Sequence, residues 1–289
     1  MKKIVLLFAA ALFVVGTAIG QSKQNESSVT ISYGSDNNDV TVTQDLDGDE
    51  YNESDVDIIG DSNGNDVDVN QDGEDMNSDV SITDNSNGNE VMVDQYEDGN
   101  DSDVDIDNHS NVNGVYVGQD GDDNESDVSI ANYSNGNGVY VEQLGDDNNS
   151  DVDIANGSSG NGVGTGQYGD GNESDVSIYN DSDGNGVLTI QVGDDNESSV
   201  DIYNDSNGNG VETYQDGDDN DSDVEIGNSS NGNYVQTYQE DYNHESDVLI
   251  YEHSDGNVIM VGQEGNYSTS DIEVSYGSDG NYIDVDQKK

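Results

Sequence analysis

The side chains able to do chemistry in this chain are almost all carboxylates and carboxamides. There are 65 Asp and Glu against 5 Lys and no Arg, a formal charge of −60 over 289 residues. Paired carboxylates can do general acid–base work, but at this density pairs occur everywhere and single out no acid–base couple. Cys is absent, which excludes disulfides, thiolate metal sites and a Cys nucleophile and leaves the redox compartment open. The three His, at 109, 244 and 253, are read as occupying different positions of the repeat described below, and so as forming no cluster. The glycines follow that repeat and make no Walker or dinucleotide-binding loop. Asn-x-Ser triplets such as Asn124-Glu125-Ser126 mimic glycosylation sites but belong to the same register. No catalytic activity is expected, and no cofactor is required.

Calcium is the next chemistry that acids suggest. Asp45-Leu46-Asp47-Gly48-Asp49 and Asp216-Gly217-Asp218-Asp219 resemble pieces of oxygen-ligand loops. Neither the EF-hand spacing nor the nine-residue Gly-Gly-x-Gly-x-Asp repeat of calcium β-rolls is met. A secreted, monomeric, calcium-binding β-solenoid of surface or adhesin type remains the alternative reading. The sign of the charge removes other partners. Nothing basic is present to neutralise phosphates, which argues against nucleic acid, and anionic membrane surfaces are disfavoured in the same way.

The elements that must position these groups are set by a repeat. Gln recurs at Gln44, Gln71, Gln95, Gln119, Gln143, Gln167, Gln191, Gln215, Gln239, Gln263 and Gln287, at intervals of 24 residues after a first interval of 27. Low hydropathy with high charge is the usual signature of disorder, but a disordered acidic tail keeps no such register. Each unit holds two alternating runs. One reads Asn-x-Val-x-Val-x-Gln, as in Asn137 to Gln143, and the other Asn-x-Ser-Asp-Val-x-Ile, as in Asn148 to Ile154. Period-two alternation of β-branched residues is the strand signal. The Gly, Asn and Asp between the runs favour turns. The unit is strand–arc–strand–arc.

The fold class expected is all-β: a two-sheet β-solenoid of eleven stacked coils over residues 25–287, after a short segment 21–24 and before a tail 288–289. The long first interval is a three-residue insertion in the arc from Asp45 to Tyr51. Coils stacked in register place each residue on its own copy one rung away, which explains why the same residue returns every period. At ~4.8 Å per rung the rod would be on the order of 50 Å long. Its narrow core would hold Val, Ile and Ser, closed at the edges by amide ladders. These are the Gln column above and Asn38, Asn65, Asn89, Asn113, Asn137, Asn161, Asn185, Asn209, Asn233, Asn257 and Asn281. A second Asn position is replaced at Met76, His244 and Ser268. Thr at 165, 189, 213 and 237 faces inward by parity, which argues against an ice-binding surface.

The N-terminus sets the expected compartment. Lys2 and Lys3 precede an apolar run from Ile4 to Val15, and Ala18-Ile19-Gly20 offers small residues before Gln21. The run is shorter than the roughly 20 residues a membrane span needs and fits a signal peptide over 1–20. The mature chain keeps 65 acids and only Lys23, Lys288 and Lys289, hence −62. No membrane insertion is expected.

The repeat resembles that of the curlin family, the subunits of curli-type amyloid fibres. Asn137-x-Val139-x-Val141-x-Gln143-x-Gly145-x-x-Asn148-x-Ser150-x-Val152 matches the family pattern site for site, and most coils repeat the match. The second Gln of that pattern is Ile or Val here, its small Ala is Ser, and the coil is slightly longer. The resemblance implies a major subunit exported across an outer membrane by a curli export apparatus and nucleated by a minor curlin. Such a chain would self-assemble outside the bacterial cell as a fibre of the biofilm matrix that serves adhesion. Stacked coils without terminal caps also favour end-to-end growth, because edge strands are templates for another chain.

One outward column is expected to govern assembly. The residue after the repeated Ser is Asp55, Asp79, Asp103, Asp127, Asp151, Asp175, Asp223, Asp247 or Asp271, with Ser at 28 and 199. Like charges ~4.8 Å apart cost roughly 1 kcal/mol per neighbour pair in water. Divalent cations such as Ca2+, salt or low pH would then favour assembly. Alternatively these Asp are solvated gatekeepers against lateral aggregation. Tyr116, Tyr140, Tyr179, Tyr203, Tyr214 and Tyr238 are read as exposed, available to adhesion or lateral contacts.

Overall fold

A computed structural model of the protein describes residues 25–45 and 51–288. The signal peptide over 1–20, segment 21–24, positions 46–50 of the insertion and Lys289 lie outside the described residues. Twenty-two strands run through the rest, and among the described residues there is no helix.

The strands alternate between two sheets. Coil one contributes β1 (Glu26–Ser32) and β2 (Asp39–Asp45), and coil two contributes β3 (Glu53–Ile59) and β4 (Asp66–Glu74). The pattern runs on to coil eleven, with β21 (Thr269–Val274) and β22 (Tyr282–Lys288). Odd-numbered strands form one 11-stranded sheet in sequence order, and even-numbered strands form the other. Pairing is parallel throughout and identical residues lie side by side, as in Ser126↔Ser150, Val128↔Val152 and Ile130↔Ile154. The chain is a two-sheet β-solenoid of eleven coils. Several even strands run nine residues, two beyond the seven-residue run read from sequence, because pairing continues past the Gln: Gly73 and Glu74 pair with Glu97 and Asp98. Lys288 is the last residue of β22.

Burial follows the pleat. In β10 (Gly138–Leu144) Val139, Val141 and Gln143 are buried and their neighbours are not, and in β11 (Asn149–Ala155) Ser150, Val152 and Ile154 alternate with less buried Asn149, Asp151 and Asp153 before a buried Ala155 ends the strand. Facing Val and Ile columns form one continuous cluster along the rod. Each coil adds about four such side chains, and full burial of each stabilises by roughly 1.5–3 kcal/mol.

The arcs impose the tightest geometry. Gly145 has φ +120, and a Cβ there would lie 2.2 Å from the Gly169 carbonyl oxygen on the next rung. That obstacle is backbone and cannot step aside, so the column through Gly121, Gly169 and Gly193 needs glycine for both reasons. Asp and Asn fill other left-handed arc positions, among them Asp147 (φ 57) and Asn156 (φ 58), where their short polar side chains lower the strain.

Candidate functional site

The polar groups of the interior are organised by the same one-rung repeat. In the Gln column, Gln44 Nε2 donates to Gln71 Oε1 at 2.8 Å, and the chain of bonds continues through Gln119 to Gln143 at 2.9 Å and Gln263 to Gln287 at 3.0 Å. The same Nε2 groups reach across to the opposite sheet, as Gln143 Nε2 does to the Glu125 carbonyl at 2.9 Å. The ladder has one polarity, with N–H always pointing toward the C-terminal neighbour.

The Asn column at the other edge runs with the opposite polarity, its N–H groups pointing toward the N-terminal neighbour. Asn137 Oδ1 accepts the Asn161 backbone N–H at 2.9 Å and the Asn161 Nδ2 at 3.2 Å. Asn137 Nδ2 in turn donates to the Ser158 carbonyl at 3.1 Å. An amide suits this place because it gives and accepts at once, leaving no buried polar atom unmet.

Two further columns were not singled out from sequence as ladders. Asn52, Asn100, Asn124, Asn148, Asn172, Asn196 and Asn220 are buried, and their Nδ2 groups cap the carbonyls of the glycine column, as Asn124 does to Gly145 at 2.8 Å, with Asp241 in the glycine's place for Asn220. His244 sits in this column. Its Nδ1 accepts the Ser268 N–H at 3.3 Å, which leaves the proton on Nε2, 2.8 Å from the Glu240 carbonyl. The neutral imidazole thereby reproduces the give-and-take of the amide it replaces. The second column is Ser62, Ser86, Ser110, Ser134, Ser158, Ser182, Ser206, Ser230 and Ser254, buried in the arc, and all of them but Ser134 accept the next backbone N–H at Oγ, as Ser86 does from Ser110 at 3.2 Å. Its signal in sequence is the recurrence itself, since arcs carry no alternation.

The strand Ser column behaves differently. Ser54, Ser78, Ser102, Ser126, Ser174, Ser198 and Ser246 are buried with no hydrogen-bond partner for Oγ. Ser150 and Ser222 bond to the inward-facing Thr165 and Thr237 at 3.0 Å.

Of the His, 109 and 253 share one arc column. They lie 144 residues apart, six periods of 24, which corrects the reading of three different positions. Six rungs of separation still keep them from clustering, and His109 stacks on Tyr133 at 4.9 Å.

The outward acids stand in register: Asp55↔Asp79, Asp79↔Asp103, Asp103↔Asp127, Asp127↔Asp151, Asp151↔Asp175, Asp223↔Asp247 and Asp247↔Asp271. Ser199 separates Asp175 from Asp223. Partial burial, then Asp127 and Asp79, push the Asp103 carboxyl up to about 6. Burial, then Glu197, does the same to Asp221, also to about 6. Asp79, Asp151 and Asp223 are raised by burial first and column neighbours second. The column two residues on is built otherwise: Asp57, Ser81, Asp105, Ser129, Asp153, Ser177 and Asp201 alternate acid with hydroxyl. Burial raises Asp105, Asp153 and Asp201, but hydrogen bonds from Ser81, Ser129 and Ser177 pull them back. Among the described residues, no three His, Cys, Asp or Glu side chains form a group that could hold a metal ion. The column Asp stand side by side on one outward sheet face, so cations meeting this face would bridge or screen neighbours instead of being enclosed.

The aromatics are less free than the sequence suggests. Tyr116 stacks on Tyr140 at 4.9 Å, Tyr179 on Tyr203 at 5.4 Å and Tyr214 on Tyr238 at 5.3 Å. Only Tyr140 and Tyr238 of these are exposed, and the other four are half-buried by their partners. Tyr203 also hydrogen-bonds Glu225.

Fold and columns together define a parallel two-sheet β-solenoid with internal amide ladders and an acidic outer face. No family model matches the chain, and no curated protein is significantly similar to it.

Proposed function

We propose that this chain is a secreted structural subunit that polymerises end to end into extracellular curli-like amyloid fibres on the bacterial cell surface, serving biofilm matrix and adhesion. The observation that carries the reading is the state of the two end coils. β1, β2, β21 and β22 are the outer strands of their sheets, and Val29, Ile31, Val40, Val42, Ile283 and Val285 on them pack on the core while remaining only partly buried. Another copy of the same coil would cover these apolar groups and continue the backbone ladders. The resemblance of the repeat to the curlin pattern supports export through an outer-membrane apparatus and a minor curlin as nucleator. The function is non-catalytic and needs no cofactor. Divalent cations or salt promote assembly by screening the Asp column.

The test is electron microscopy with fibre diffraction on the purified chain lacking residues 1–20, with and without millimolar calcium. Unbranched fibres with a ~4.8 Å repeat along the axis are expected, forming faster with calcium than with chelator at low salt. A rod that stays monomeric and gains β structure only with calcium would replace this reading with the monomeric calcium-binding solenoid.

A further inference from the structure

Resting on the polymer reading above, we infer that the outward residues of coils one and eleven form a matched charge code that selects one docking register between copies: β21 and β22 of one copy against β1 and β2 of the next, head to tail. Within the chain, every neighbouring pair of coils stacks at least one acid directly on another. Glu26 lies on Glu53, Asp55 on Asp79, Asp79 on Asp103, Asp103 on Asp127 and Asp127 on Asp151. Asp151 lies on Asp175, Glu173 on Glu197, Glu197 on Asp221, Asp223 on Asp247 and Asp247 on Asp271. Repetition alone would predict the same at the junction.

The junction differs. Continuing the parallel register sets Thr269 on Glu26 of the next copy, Asp271 on Ser28 and Glu273 on Thr30. In the other sheet it sets Tyr282 on Asp39, Asp284 on Thr41, Asp286 on Thr43 and Lys288 on Asp45. Along the strands no acid meets an acid; the acid pair that the register does create lies in the exposed arc, Asp279 on Asp36. The single cation of the strands completes a column that inside the chain reads Asp216, Glu240, Glu264, Lys288. Lys288 already bonds Glu264 at 3.2 Å, so in the stack it lies between two carboxylates.

The inward residues repeat across the same junction without change of character: Ser270 on Ser27, Ile272 on Val29, Ile283 on Val40, Val285 on Val42 and Gln287 on Gln44. Ladder polarity agrees as well. Gln Nε2 points to the C-terminal neighbour and Asn Oδ1 accepts from it, so Gln287 Nε2 would meet Gln44 Oε1 of the next copy, and Asn281 Oδ1 its Asn38 N–H. Head-to-head docking satisfies neither.

The test places acids where they oppose an acid only across the junction. Thr43→Asp faces Asp286 of another copy, while its neighbour within the chain is Asn70. Tyr282→Asp faces Asp39, while its neighbour is Val258. The full mature chain carrying both changes should elongate from its own seeds about tenfold more slowly at low ionic strength, from two like-charge pairs at rung spacing. Adding Asp39→Asn and Asp286→Asn should restore the rate, and high salt should shrink the difference. Ile190→Asp adds one acid at an outward interior position between Gly166 and Tyr214 and should leave elongation unchanged, as either junction acid alone should not. Circular dichroism and urea midpoints of the soluble chains check that each variant folds. A double variant that elongates like the unsubstituted chain, or stays slow after the restoring pair, overturns the charge code while leaving the polymer intact. No fibres from the unsubstituted chain would instead overturn the polymer reading and the code with it.

Discussion

Replacing Asp103 by Asn should stabilise the solenoid, and only where Asp103 would otherwise be ionised. Asp103 lies between Asp79 and Asp127 in the parallel register. At ~4.8 Å per rung two unit charges repel by about 0.9 kcal/mol in water, so two neighbours cost about 2 kcal/mol. The carboxyl, held at about 6 against the ordinary 3.8, corresponds to about 3 kcal/mol before solvent screening. The side chain is exposed, so solvent screening removes half or more of that, and 1–2 kcal/mol is the expected gain at pH 7.5. The folded state binds this proton more tightly than the unfolded chain does. The ionised form therefore costs the fold nothing near pH 4, and its cost grows until pH passes the folded value near 6. Urea midpoints of soluble D103N and unsubstituted chain, by circular dichroism at low salt, should differ fully at pH 7.5 and much less at pH 5. Asp153 supplies the comparison, because Ser129 and Ser177 are its column neighbours. D153N exchanges the charge-assisted Ser129 hydrogen bond for a weaker neutral one and relieves no adjacent like charge in its column, so its effect should be at most half as large and insensitive to salt. An equal D103N gain at both pH values, or equal gains from D103N and D153N, would refute the repulsion argument.

The internal ladders make further predictions. Gln143→Leu leaves the buried Gln167 Oε1 without its donor, at about 1–3 kcal/mol, and takes one bond each from the Gln119 Nε2 and the Glu125 carbonyl, at about 1 kcal/mol apiece. It should destabilise by about 3–5 kcal/mol in urea denaturation, against a much smaller loss for Gln44→Leu at the half-buried end. Gly145→Ala drives a Cβ into the Gly169 carbonyl and should cost more than 3 kcal/mol, seen as a collapse of the thermal midpoint. Ser126→Ala removes a buried hydroxyl that has no partner and should be neutral or stabilising by up to about 1 kcal/mol. His244→Asn should preserve the fold with a change under about 1 kcal/mol, whereas His244→Leu, which neither donates nor accepts, should cost several times more in the same assay.

The strands were legible because Val, Ile and Gln obey period two within a run and period 24 between runs, and both periods are properties of one residue and its copy. The acid column at Asp55 to Asp271 was legible for the same reason. The Ser62 column was not, because it lies in an arc where alternation stops and nothing but recurrence marks it. The Asp57–Ser81 alternation was missed because its period spans two coils, so comparing one coil with the next shows only variation. The shared column of His109 and His253 was missed for want of counting six periods. Burial of Tyr116 and Tyr179 was beyond sequence, since a ring is covered only by the ring on the next rung. Each of these relations joins a residue to its neighbour along the axis. A chain with 30% apolar residues holds this core because every interior amide is satisfied by the coils on either side. Stability is then a sum of coil-to-coil contacts, and an end coil has only half of them. In the proposed polymer another copy would supply the missing half, and there Lys288 would meet Asp45 while the hydroxyls at Ser28, Thr30, Thr41 and Thr43 would meet Asp271, Glu273, Asp284 and Asp286 in place of further acids.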